Sequence, residues 1–240
     1  MTKRRLLTLG AAAVIAGALA TSALALQGGA PDSAHGYVGA MLTPDGALCS
    51  GVLVSPTVFV TAAHCVTTDG ELVALAFDEF PTGPSAVGLA YRDPAWVAQP
   101  GGLSHSDLND VAVVKIVGGN VPSSYAQRPA VGYDDTLPNN QLVDNLGYGV
   151  QDAKTLSGAG FRQIVTEKIV PGGGATGANF LKISGGSTCF GDSGGPNLQA
   201  GTNIVLAINS YGASASCNAV SYSQRLDTQQ VHDFIAGFLN

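Results

Sequence analysis

Apolar residues in this chain come in short runs rich in valine, leucine and alanine, cut apart by glycine, proline and serine. Runs of that length are too short for buried helices, and they select strands joined by tight turns. Glycine fills 32 of 240 positions, which supplies the turn conformations such a chain needs. Strands are expected at 36–42, 50–54, 57–61, 71–77, 111–117, 141–149, 161–170, 180–184 and 204–210. One stretch has helical period: Val231, Phe234, Ile235, Phe238 and Leu239 recur at i, i+3, i+4, i+7 and i+8 behind Thr228 as a cap. Residues 119–131 lack periodicity and carry Pro122 and Ser123-Ser124, as a linker does. The expectation is an all-β protein of two antiparallel barrels, residues 26–118 and 132–240, with a C-terminal α-helix. No internal sequence repeat is visible.

The first 25 residues read as an address. Lys3-Arg4-Arg5 precedes an uncharged stretch from Leu6 to Ala20, and Ala23-Leu24-Ala25 is a small-x-small cleavage site. An uncleaved anchor is the competing reading, since Leu6 to Leu26 could just span a bilayer. The alanine-rich, weakly hydrophobic middle favours a signal peptide, and hence a secreted protein without stable membrane association. Formal charge is −6 and becomes −9 once the three leader basic residues are gone. No other Lys/Arg cluster exists, which argues against nucleic-acid binding. Export permits disulfides. Cys49, Cys65, Cys189 and Cys217 allow three pairings, and the absence of Cys-x-x-Cys gives a zinc site little support. Neither a metal nor a cofactor is expected.

Three segments carry chemistry. Thr61-Ala62-Ala63-His64-Cys65 puts a histidine at the end of a β run. Asn109-Asp110-Val111 puts a carboxylate at the start of an apolar strand. Gly191-Asp192-Ser193-Gly194-Gly195-Pro196 puts a serine among glycines that let a substrate approach the backbone closely. A serine hydroxyl needs a base to take its proton as it attacks. His64 would be that base and Asp110 its orienting partner. The N–H groups of Gly191 and Ser193 would hold the developing oxyanion.

Thr-Ala-Ala-His-Cys and Gly-Asp-Ser-Gly-Gly-Pro, in His…Asp…Ser order, resemble the signatures of the chymotrypsin/trypsin-like serine proteases. The resemblance implies two six-stranded β-barrels with the active site between them, and the disulfides Cys49–Cys65 and Cys189–Cys217. It implies a serine endopeptidase acting on protein or peptide substrates, taken as a monomer. The compact mature chain without a long propeptide suggests a bacterial source. In this family a new Ile-Val-Gly-Gly terminus inserts its ammonium beside the aspartate preceding the nucleophile. Leu26-Gln27-Gly28-Gly29 looks like that segment, so signal cleavage is expected to pair the Leu26 amine with Asp192. Gln27 departs from the usual apolar second residue.

Ser187 falls at the family's pocket base and is neutral, so a preference for Lys or Arg lacks its usual partner. Ser210-Tyr211-Gly212 resembles the strand that pairs with the substrate backbone, and Ser210 is placed to hydrogen-bond Asp110. Keyed on Tyr222, Val220 occupies a pocket wall and narrows it. A small to medium apolar side chain before the scissile bond is expected.

Blander readings apply elsewhere. His35, His105 and His232 are read as structural, Asp107 as a loop residue, and Glu71, Asp78 and Glu79 as a solvated loop rather than calcium ligands. Gly191 to Gly195 also satisfies Gly-x-Ser-x-Gly, with Asp227 and His232 following as in α/β-hydrolases. Gly194-Gly195-Pro196 would break the helix which that elbow requires. The remaining alternative is a catalytically silent homologue acting by binding, with Phe190, Gln27 or Val220 as the disabling feature.

Overall fold

A computed structural model describes residues 25–97, 108–171 and 178–239. The leader through Leu24, His105 and Asp107 lie outside them. A closed barrel is built from β2 (Val38–Leu42), β3 (Leu48–Ser55), β4 (Val58–Thr61), β7 (Ala112–Gly119), β6 (Ala86–Arg92) and β5 (Glu71–Ala76), in that spatial order. All neighbouring strands run antiparallel. Phe59 fills the barrel interior because Gly39 and Gly51 make room. A Cβ on Gly51 would lie 2.4 Å from the Phe59 ring. Phe77 meets Phe59 edge-on at 5.9 Å.

The second antiparallel sheet runs β9 (Gln163–Lys168), β8 (Leu142–Gly147), β11 (Pro196–Gln199), β12 (Val205–Gly212), β13 (Ser221–Arg225) and β10 (Phe180–Ile183). A bridge between Ile169 and Ile183 brings its two ends together. The architecture is the expected pair of β-barrels with one C-terminal helix, α2 (Gln229–Ala236), capped by Thr228. Both expected disulfides are formed, Cys49–Cys65 and Cys189–Cys217.

The two ends of the chain cross over, which the division into residues 26–118 and 132–240 does not anticipate. After a single helical turn, α1 (Ala25–Gly28), the two-residue strand β1 (Ala30–Pro31) joins β9 of the second sheet. At the other end, Phe238 packs on Tyr91 of β6 at 5.6 Å, and Gln230 donates to Asp93 beside the first barrel. Each terminus therefore straps one half to the other. A buried polar cluster strengthens the joint. The Arg162 guanidinium donates to the Asp32 carboxylate at 2.9 Å and to the carbonyls of Val38 and Phe77. Burial opposes ionisation of Asp32, but its bonds with His35 and Arg162 bring its carboxyl down to about 2.

Just before α2 in the chain, Arg225 makes a two-pronged bond to Asp227 and lies 3.6 Å from the buried Asp134 carboxylate, which has no hydrogen-bond partner among the described residues. Burial, then the Asp227 charge, raise the Asp134 carboxyl to about 8, with Arg225 opposing. A carboxyl raised on folding binds its proton more tightly in the folded state. Stability should therefore fall as pH climbs from about 4 to about 8. Asp134→Asn should remove this dependence, so the variant's Tm overtakes the wild type's on going from pH 4 to 9. A constant difference between the two melting curves across that range would contradict it.

Candidate active site

His64 sits on a 3-10 turn, Ala63–Cys65, directly after β4. The Cys49–Cys65 disulfide pins that turn to β3. Asp110 enters just before β7, preceded by Asn109 in the left-handed region (φ 58°). That turn points the carboxylate inward, where it is wholly buried. One Asp110 oxygen accepts the His64 backbone N–H at 2.9 Å, and the other accepts His64 Nδ1 at 2.8 Å. The second oxygen also accepts the Ser210 hydroxyl at 2.5 Å, and Gln224 accepts the Asp110 backbone N–H. Burial alone would raise the Asp110 carboxyl. The His64 charge and these hydrogen bonds outweigh it and hold the carboxyl below its usual range. An ionised Asp110 can only accept, so Nδ1 carries the proton and Nε2 is left as the base.

Ser193 lies on the turn between β10 and β11. Its carbonyl accepts the Ser50 N–H at 2.8 Å, while Gly194 and Asn209 bond backbone to backbone. The glycines around it are sterically required. A Cβ on Gly194 would lie 2.2 Å from Thr61 Oγ1, and one on Gly195 would lie 2.2 Å from the Leu146 carbonyl. Gly191 adopts φ 95°, and a Cβ on it would lie 2.9 Å from the Gly149 Cα. Ser50 was read from sequence as a strand residue only. Its buried hydroxyl donates to the Gly191 carbonyl at 2.8 Å and accepts the Tyr148 N–H at 2.9 Å. It thus fixes the backbone on one side of the nucleophile turn.

His64, Gly191 and Ser193 line one cavity of about 540 Å³, together with Ser210, Tyr211 and Gly212. Phe190 stands half-exposed at its rim. Ser187 is buried six residues before the nucleophile. Val220 departs from its expected place. It precedes β13, and its carbonyl accepts the Ala213 N–H. Gly212 pairs across the sheet with Ser221, whose hydroxyl accepts from Thr188 at 3.3 Å. Side chains alternate along a strand, so a one-residue offset exchanges the residue that faces a given side. Neither Val220 nor Ser221 is among the described residues that line the cavity.

The Asp192 carboxylate is buried and accepts N–H groups from Gly149 at 2.8 Å and Cys189 at 3.0 Å. Burial raises it to about 7, with those two hydrogen bonds opposing and the nearby Glu167 charge adding to the rise. Leu26 is fully buried, but in the full-length chain its nitrogen belongs to a peptide bond. No Leu26–Asp192 contact occurs among the described residues. The α/β-hydrolase arrangement is absent here: strand β11 follows Ser193, and Asp227 is occupied by Arg225. Glu71 caps its own loop, accepting from Thr67 and Thr68.

A cleft between two antiparallel β-barrels, holding a buried acid, its histidine and a serine on a glycine turn, defines the chymotrypsin-like class. The chain belongs to the trypsin family, whose profile, described as Trypsin, matches residues 27–235. It is 26% identical to Trypsin delta of Drosophila melanogaster over 184 residues, 70% of each chain. It is 27% identical to Brachyurin of Leptuca pugilator over 194 residues, 75% of this chain and 82% of the relative. Among solved structures, human heparin binding protein superposes with a TM-score of 0.69 at 17% identity, covering 88% of this chain and 95% of its own. A structure titled HL collagenase superposes at 0.65 and 19% identity, covering 85% and 93%. These two establish the shared fold.

Proposed function

We propose that the protein is a secreted serine endopeptidase acting on protein or peptide substrates. The observation that carries this reading is the 2.8 Å bond from His64 Nδ1 to the buried Asp110, in the cavity that also holds Ser193. Ser193 Oγ attacks the scissile carbonyl while His64 Nε2 takes its proton. The oxyanion forms at the N–H groups of Gly191 and Ser193, where each donor supplies about 3–4 kcal/mol in related chemistry. His64 then protonates the leaving amine, and water releases the acyl group by the reverse route.

Secretion rests on the leader and on the two disulfides. The small to medium apolar specificity expected from sequence depended on Val220 narrowing the pocket. Val220 does not line the cavity, so that expectation now rests on the neutral Ser187 alone.

An organophosphorus probe tests the core claim. Intact mass should show one fluorophosphonate adduct on the secreted protein and none on Ser193→Ala. Absence of an adduct on wild-type protein with a correctly cleaved terminus would favour the silent homologue.

A further inference from the structure

The second barrel buries amides where strand interiors ordinarily bury apolar side chains. Asn145 of β8, Asn197 of β11 and Asn209 of β12 sit on adjacent strands, and none is more than 1% exposed. Asn209 has four partners. Its Nδ2 donates to Asn145 Oδ1 at 2.8 Å and to the Asp192 carbonyl at 3.2 Å. Its Oδ1 accepts Asn197 Nδ2 at 2.8 Å and the Ser223 hydroxyl at 3.3 Å. Asn145 Nδ2 in turn donates to Thr188 Oγ1 at 2.8 Å and to Glu167 Oε2 at 3.1 Å.

The direction of this chain of bonds is fixed at its ends. A backbone carbonyl only accepts, so the Asn209 atom facing Asp192 is the nitrogen. Its second hydrogen requires the Asn145 oxygen, and the Asn145 nitrogen is left for Thr188 and Glu167. The Thr188 hydroxyl already donates to Ser221 at 3.3 Å, so it receives the Asn145 N–H as an acceptor. Packing alone does not account for the trio, because leucine fills nearly the same volume without the cost of burying an amide.

The Asp192 carbonyl is one end of a peptide unit whose other end is the Ser193 N–H, a proposed oxyanion donor. The unit is planar and trans, so the two groups point in opposite directions. Holding the carbonyl from behind therefore aims the N–H. The unit that ends in the Gly191 N–H is held from the backbone, its Phe190 carbonyl accepting the Val150 N–H at 2.8 Å. At Asp192 the Gly195 N–H, at 2.9 Å, is joined by the Asn209 side chain. Asn209 also brackets the turn with its backbone, donating to the Gly195 carbonyl and accepting the Gly194 N–H, both at 2.8 Å.

We propose that Asn209 is a positioning residue for the Ser193 oxyanion donor, and that Asn145 acts through it by fixing how its amide points. The proposal deepens the protease reading above and rests on it.

Asn145→Leu tests it, since Asn145 is not among the described residues that line the cavity whereas Asn209 is. Correctly cleaved wild type and variant are compared on one internally quenched peptide, with active sites counted at the end point of fluorophosphonate labelling. The variant's kcat should fall roughly 10–100-fold with KM within about twofold of wild type. Affinity for a peptide aldehyde, whose adduct with Ser193 bears the oxyanion, should fall by a similar factor. Adding Asn145→Leu to Asn209→Leu should cost little more than Asn209→Leu alone, because both act through one bond to the Asp192 carbonyl. Unchanged kcat per active site, a loss carried by KM, or simple additivity of the two changes would make the amides structural and overturn the proposal. Should the variants fail to fold, wild type decides by NMR. An oxyanion on the Ser193 N–H polarises the peptide unit, so the Asn209 side-chain amide protons should move downfield when the aldehyde adduct forms. No movement overturns the proposal while leaving the protease intact. Wild type with neither turnover nor probe adduct overturns the protease reading itself, and the proposal with it.

Discussion

Asp110→Asn should lower kcat by about 10⁴-fold near neutral pH, with KM and folding nearly unchanged. The size follows from the tautomer. Asp110 accepts the hydrogen bond from His64 Nδ1–H on an oxygen that also accepts the Ser210 hydroxyl, and its partner oxygen accepts the His64 backbone N–H. An asparagine of the same shape offers one acceptor and one NH₂. Of the three donors on the carboxylate only the His64 backbone N–H cannot switch to accepting, so it keeps the carbonyl and the amide nitrogen turns toward the ring. Histidine then carries its proton on Nε2 and can no longer take one from Ser193. The imidazolium formed in the transition state also loses its buried counter-charge. Steady-state kinetics on an internally quenched peptide, with thermal melting as the folding control, reads the effect. A loss under tenfold would show that Asp110 does not orient the base.

The candidate trio of His64, Asp110 and Ser193 was legible because its sequence signals are local. The cysteine beside His64 pins its turn to β3, Asp110 opens a buried strand, and the glycines around Ser193 are required for steric reasons. A Cβ at Gly194 or Gly195 would collide with Thr61 or Leu146. Strand β6 escaped notice because its inward residues are Ala86, Gly88 and Ala90. They are small because the Val114 side chain and Lys115 backbone press against Gly88. Strand β13 escaped because Ser221, Ser223 and Gln224 turn inward to a polar interior. The same interior hid Glu167, which reads as an ordinary charged residue until β9 buries it. That Gly212 pairs with Ser221 rather than Val220 is a matter of register, which a pattern anchored on one tyrosine cannot fix. The crossing of β1 and α2 between the halves depends on contacts far apart in sequence, and no local period encodes those.

A version of the protein that keeps Ala25 ahead of Leu26 should lose at least about a hundredfold in kcat/KM, and Asp192→Asn in the correctly cleaved protein should lose about as much. Asp192 is buried with only the Gly149 and Cys189 N–H groups on its carboxylate among the described residues, and burial lifts it to about 7 in the full-length chain. A group raised on folding weakens the fold as pH rises, here between about 4 and about 7, and the unprocessed chain bears that cost at neutral pH. An ammonium released at Leu26 would reverse the direction by stabilising the carboxylate. Leu26 already has its side chain fully buried, so the terminus starts close-packed against the body rather than free in solvent. Breaking a buried ion pair costs about 3–5 kcal/mol, and 3 kcal/mol alone corresponds to somewhat over a hundredfold. That cost would fall on activity because Asp192 adjoins both Gly191 and Ser193, the proposed oxyanion donors. The thermal signature is separate from the kinetic one. The Ala25-bearing form should gain stability on acidification from pH 7 toward 4, whereas the cleaved form should lose it as its ion pair is protonated. Equal activity in the two forms, or parallel melting curves across that range, would dissociate activation from signal cleavage and leave Asp192 as a structural acid.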